Sequence, residues 1–173
     1  MITTKKGDKG MTGLIGQTKV EKDDARIEAN GVLDEVSSLI GLARKDMPAC
    51  DWATAYLRYI QMCLSVVMKN IAGADLGVET VVLTDATKKM EEDIKRLDDD
   101  ESFNFTFSGD GDRISALLHV IRSKVRTAER RFWSANKVAP LSIEAGVFLN
   151  RLSDWLYAIA ERNIPDASLH TKK

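Results

Sequence analysis

"ISALLHVIRSKVRTAERRF", residues 114–132, places Ile114, Leu117, Leu118, Ile121, Val125, Ala128 and Phe132 at intervals of three and four. That spacing lines them along one face of an α-helix, which the flanking residues extend from about Asp112 to Asn136. On the same helix Arg122, Arg126 and Arg130 recur at i, i+4 and i+8, with His119 one turn before Arg122 and Glu129 between the last two arginines. Such a row can grip a polyphosphate through charge-assisted, often bidentate hydrogen bonds. A solvated face with helical ion pairs has the same spacing. A nucleic-acid surface fits less well, because no aromatic residues are interleaved for stacking.

The same helical spacing recurs on either side. After Pro140 a further helix carries Ile143, Phe148, Leu152, Trp155 and Ile159, and Pro165 marks the tail beyond it. Upstream, "DDDESFNFTFSGDGD" (98–112) is too polar and glycine-containing to be helical and forms the principal loop. Before it, one helix from Thr84 turns Met90, Ile94 and Leu97 inward; another from Asp51 carries Leu57, Ile60, Leu64, Val67 and Ile71 and ends at Gly73 and Gly77. The first helix opens at Asp23, an N-cap residue type, and runs to about Lys45 with Ile27, Val32, Val36, Leu39, Ile40 and Ala43 inside. Met47 and Pro48 close it. Apart from short apolar runs near Val81 and Phe105, strand signals are few. The pattern predicts an all-α, up-and-down five-helix bundle.

At 173 residues and 44% hydrophobic content, the chain suits one domain with a sizeable core. Its 25 basic and 26 acidic side chains leave a net charge of -1, so any anion site must be local. Cys50 and Cys63 are isolated within helical patterns, which suggests neither a disulfide framework nor a zinc cluster. No leader-like segment and no membrane-length apolar run is seen, so the expectation is a soluble, cytoplasmic protein without a nucleic-acid or membrane partner.

Residues 1–22 stand apart. They hold Thr3, Thr4, Thr12 and Thr18, five lysines, and Gly7, Gly10, Gly13 and Gly16. Glycines let backbone N–H groups approach oxyanions, and lysines neutralise charge, so the composition suits phosphate. It lacks Walker spacing, and a solvated N-terminal arm has the same composition. Polar residues inside other helices add to the pattern: Asp34 in "NGVLDEV", and Asn150 with Asp154 in "FLNRLSDWL". If buried, they need partners, an arginine being the obvious one for an aspartate; structural pairs are the alternative. The two histidines form no Glu-x-x-His pair, and no Ser-His-Asp or Cys-His arrangement offers a protein nucleophile.

Four segments in order resemble the PduO-type ATP:cob(I)alamin adenosyltransferases: "TKKGDKGMTGL" (4–14), "KDDARIEANGVLDEVSSLIGLA" (22–43), "LLHVIRSKVRTAERR" (117–131) and "FLNRLSDWLYAIA" (148–160). The resemblance implies a single domain over 1–173, with an ordered nucleotide-binding loop over 1–22, the bundle over 23–163 and a tail over 164–173. It implies transfer of the 5′-deoxyadenosyl group of ATP to cob(I)alamin, giving adenosylcobalamin and triphosphate. MgATP and the corrinoid would be bound in a homotrimer with sites between subunits. A flavoprotein reductase or a cobalamin-dependent enzyme would be a further partner. Residue by residue, Thr4, Lys5, Gly7, Asp8, Gly10 and Thr12 would surround the nucleotide, with Lys22 near the phosphates. Arg122 would pair with Asp34, Arg126 would contact the triphosphate, and Glu129 and Asn150 would complete the site. The resemblance assigns no metal-ligating residue.

The sequence departs from the family at several points. Thr106, Phe107, Ser108, Gly109, Asp110 and Gly111 stand where Phe-Ile-Leu-Pro-Gly-Gly is common, so Phe105 or Phe107 would have to displace the lower axial base. Lys6, Met11, Leu33, Ser37 and Thr127 also depart from the pattern. A second reading follows: a non-catalytic paralogue binding ATP or a corrinoid as regulator or carrier. A purely structural bundle is a third.

Overall fold

The computed structural model describes residues 7–17, 19–49, 51–98 and 111–162. Five helices account for most of them: α1 (Ala25–Asp46), α2 (Trp52–Ile71), α3 (Thr80–Asp98), α4 (Arg113–Asn136) and α5 (Ile143–Glu161). Aspartates start three of these. Asp24, Asp51 and Asp112 accept from the N–H groups of Arg26, Ala53 and Ser115 at 2.8 Å each, satisfying donors that a helix start leaves open. At α1 the cap is Asp24 rather than Asp23, because Asp24 also holds the Arg26 guanidinium at 3.0 and 2.8 Å.

Side-chain ties set the directions. Arg44 reaches the Thr54 carbonyl, Gln61 that of Ser37 and Asn30 that of Met68, so α1 and α2 run antiparallel. Tyr56 and Tyr59 donate to the Ala86 and Val82 carbonyls and set α3 antiparallel to α2. Lys124 with Glu35, and Arg131 with Glu28, lay α4 against α1; Asn150 with Glu129 lays α5 against α4. The chain therefore runs up, down, up, down, up. Instead of following α3 around the bundle, α4 packs between α1 and α5, and α3 packs along α5 in the same direction.

Two expectations change in the helices. α3 begins at Thr80, after a 3₁₀ turn over Gly77–Glu79, so the apolar run near Val81 is helical. β-branched Val81 and Val82 weaken the local helix signal, but Leu83, Ala86 and Met90 form a buried stripe that decides the outcome. Ile143 is 69% exposed; as the first residue of α5 it precedes the face set by Phe148, Leu152, Trp155 and Ile159, all fully buried. Each such side chain contributes about 1.5–3 kcal/mol by leaving water. No described helix is long and apolar enough to cross a membrane.

The N-terminal segment contains a hairpin that strand patterning did not indicate: β1 (Met11–Gly13) pairs antiparallel with β2 (Lys19–Glu21), Thr12 facing Val20. Three residues per strand are too few for alternation to register. The Ile15 N–H at its tip donates to the Ala72 carbonyl at 2.9 Å, so the hairpin caps the end of α2 and is held by tertiary contact.

Gly146 brings α5 close to two aromatic rings of α4. A Cβ there would lie 2.7 Å from the Trp133 ring and 3.1 Å from that of buried Phe132. Gly146→Val is expected to cost roughly 1–3 kcal/mol by overpacking. A urea midpoint that falls at constant m value would show this; an unchanged midpoint would mean that the rings yield freely.

Candidate active site

The outer face of α4 carries an open groove of about 420 Å³ lined by Leu39, Val120, Arg122, Ser123, Lys124, Arg126, Thr127 and Arg130. Its electrostatics follow from how α4 docks. Arg113, Lys124 and Arg131 pair with Asp46, Glu35 and Glu28 of α1. The three arginines at i, i+4 and i+8 make no ion pair among the described residues, and Arg130 donates only to the Thr127 hydroxyl, at 3.1 Å. Cations gathered without carboxylate partners leave their donors available to an anion, which separates this row from a solvated, self-paired face.

Asn150 Nδ2 of α5 donates to Glu129 Oε1 of α4 at 3.1 Å, bringing together two residues that the resemblance assigns to one site. Arg122 turns toward α5 and lies 5.7 Å from the centre of the Tyr157 ring; its Nε is buried without a hydrogen bond among the described residues. Within one chain Asp34 and Arg122 do not meet. Asp34 is exposed on α1, where its neighbour Glu35 takes the contact with α4, while Arg122 occupies the opposite flank of α4. Successive helical residues diverge by about 100°, so Glu35 and Asp34 cannot both face α4.

Gly7, Asp8, Gly10, Thr12 and Lys22 belong to the hairpin region. The Lys22 N–H donates to the Gly10 carbonyl at 2.8 Å, and its Nζ would lie 3.1 Å from a Cβ at Gly7. These residues therefore meet at the open end of the hairpin, but none lines the arginine groove of the same chain. Thr4, Lys5, Phe105 and Phe107 lie outside the described residues, as does the altered loop over 99–110.

Sequence reasoning missed the surroundings of His119. The ring is 3% exposed, its Nε2 lies 3.2 Å from Glu161 Oε1, and it packs 5.8 Å from the Tyr157 ring. Burial holds its pKa below the usual histidine range and Arg122 adds to this, while Glu161 opposes it. The i, i+4 spacing of Tyr157 and Glu161 was the only available signal. Cys63 is buried and its thiol is pushed up to about 11, chiefly by burial, so it is no nucleophile at neutral pH.

The family model of cobalamin adenosyltransferases matches residues 2–162. The chain belongs to the cobalamin adenosyltransferase family. Among members, it is 35% identical over 169 residues to the corrinoid adenosyltransferase of Bacillus subtilis, spanning 92% of this chain and 84% of that one. It is 33% identical over 178 residues to that of Citrobacter freundii, spanning 95% and 97%. A variant PduO-type ATP:corrinoid adenosyltransferase from Lactobacillus reuteri complexed with ATP superposes with a TM-score of 0.80 at 27% identity, covering 94% of this chain and 93% of that one. Another variant of that enzyme, complexed with cobalamin and ATP, gives 0.76 at 27% identity, covering 92% and 91%. The two variant structures share the fold over nearly the whole chain.

Proposed function

We propose that the arginine groove of α4 holds the triphosphate of ATP during transfer of the 5′-deoxyadenosyl group to cob(I)alamin. The observation that carries this is the set of arginines left without ion-pair partners beside the Glu129–Asn150 pair. The protein is an ATP:corrinoid adenosyltransferase. Co(I) displaces triphosphate from the 5′ carbon, forming a Co–C bond and breaking a C–O bond, so the reactants supply the nucleophile. The protein's part is to fix that carbon, stabilise charge on the leaving group and exclude water.

Arg126 and Arg122 take the leaving-group side of the site, and Asp34, which does not meet Arg122 within one chain, would act on it across a subunit boundary. Glu129 and Asn150 orient the nucleoside. Thr4, Lys5, Gly7, Asp8, Gly10, Thr12 and Lys22 form the loop that closes over the phosphates. Within one chain Gly7, Asp8, Gly10, Thr12 and Lys22 do not line the groove, which favours a homotrimer in which the loop of one subunit closes the groove of the next. Phe105 or Phe107 serves the corrinoid side. Magnesium would enter with ATP as its counter-ion. One domain over 1–173, a cytoplasmic setting and a reductase or cobalamin-dependent partner complete the reading.

The test mixes purified protein with MgATP and chemically reduced cob(I)alamin and follows loss of Co(I) absorbance with triphosphate release. Stoichiometric conversion is expected. ATP bound by calorimetry without conversion would transfer the chain to the non-catalytic binders.

A further inference from the structure

Arg122 has one described neighbour that orients its guanidinium, the Tyr157 face at 5.7 Å, since its Nε finds no hydrogen bond among the described residues. A cation over a ring is held by the ring's quadrupole only while the ring itself keeps its plane. Tyr157 sits on the last turns of α5, and the His119 imidazole packs beside it, tilted 59° to it at 5.8 Å. Glu161 of α5 lies 3.2 Å from His119 Nε2, and the 3% exposure of the imidazole leaves it little room to swing away. Two residues of α4 and two of α5 thus interlock, with only Arg122 reaching the groove. Burying an imidazole costs free energy unless its polar atoms are met, and neither Nδ1 nor Nε2 has a hydrogen bond of good geometry among the described residues. A leucine would fill the same volume without that cost, so packing alone gives no reason for histidine.

We infer that His119 is a positioning residue for Arg122, acting by bracing the Tyr157 ring on which the guanidinium rests. The inference depends on the assignment of Arg122 to the reacting site. With the brace gone, the ring tilts and the guanidinium loses its direction toward the groove while its charge remains. Misdirection of this kind acts on the transition state more than on ground-state binding.

The test is a double-mutant cycle on the full-length enzyme, assayed with MgATP and cob(I)alamin. His119→Leu should lower kcat roughly 10- to 100-fold with the KM for ATP and the calorimetric affinity for ATP unchanged, and His119→Gln should recover part of the loss. Because His119 acts through Arg122, the double variant His119→Leu/Arg122→Ala should be no slower than Arg122→Ala alone. Wild-type kcat for His119→Leu, or losses that multiply in the double variant, would overturn the inference. Wild-type activity for Arg122→Ala would instead sink the site assignment itself. If circular dichroism shows that His119→Leu does not fold, Tyr157→Leu carries the same cycle, and multiplying losses there overturn the inference equally.

Discussion

Arg126→Ala is expected to lower kcat for adenosyl transfer by about 10²- to 10³-fold, the range seen when one preorganised donor to a developing charge is removed. Triphosphate leaves with more charge on the oxygen that linked C5′ to the α-phosphorus than ATP carries there. A guanidinium fixed in the groove is therefore worth more in the transition state than in the bound ground state, and the loss should fall on kcat before KM. Arg126 is exposed and makes no hydrogen bond or ion pair among the described residues, so the melting temperature should not move. Arg131→Ala is the matched control: it removes an equal charge from the same helix, but one paired with Glu28 at 3.5 Å on an exposed face, where such pairs contribute about 0–1 kcal/mol. Steady-state kinetics of both variants decide the point. Unchanged kcat and KM for Arg126→Ala, or an equal loss for Arg131→Ala, would remove Arg126 from the site.

Trp155→Ala should be the most destabilising single change in the bundle. The side chain is fully buried, meets Tyr56 and Trp52 edge-on at 5.2 and 6.2 Å, and donates its Nε1–H to Asp93 Oδ2 at 3.2 Å. Truncating a buried tryptophan costs about 3–5 kcal/mol, and weakening the solvation of a buried carboxylate adds about 1–3 kcal/mol. Asp93 is 1% exposed and, among the described residues, keeps Lys89 and Arg96, the latter at 3.5 Å. Domains of this kind are stable by about 5–15 kcal/mol in all, so the variant should unfold at far lower urea or be unfolded at the outset. Trp155→Phe separates the terms, since it keeps most of the volume and loses only the donor. A Trp155→Ala cost below about 1 kcal/mol would show that α3 and α5 repack around the gap, contrary to the close packing expected of such cores.

The bundle was legible because its signals are local. The stripe from Ile114 to Phe132 needs only helical periodicity, and Asp51 and Asp112 announce their helices by capping chemistry that acts within three residues. Asp23 and Asp24 are two such signals side by side, and the contact with Arg26 chose between them. The site was legible in part for the same reason: Arg122, Arg126 and Arg130 are neighbours along one helix, and Glu129 and Asn150 meet because α4 and α5 are joined by a short turn. The hairpin was not legible, because three-residue strands carry too little pattern and the Ala72 carbonyl that anchors them is 57 residues from Ile15.

By itself the sequence determined the number of helices, the faces they bury and the inventory of cationic and polar groups, all of which depend on spacing along one element. Tertiary structure decided which helix lies beside which, that α4 sits between α1 and α5, and which charges are spent on pairing. Glu35 rather than Asp34 meets α4, Arg122 rests on Tyr157, and Asp93 is buried under Trp155. The reason is that a side chain's partner is set by the packing of whole helices, where burial makes an unpaired polar group costly and every contact depends on elements distant in the chain.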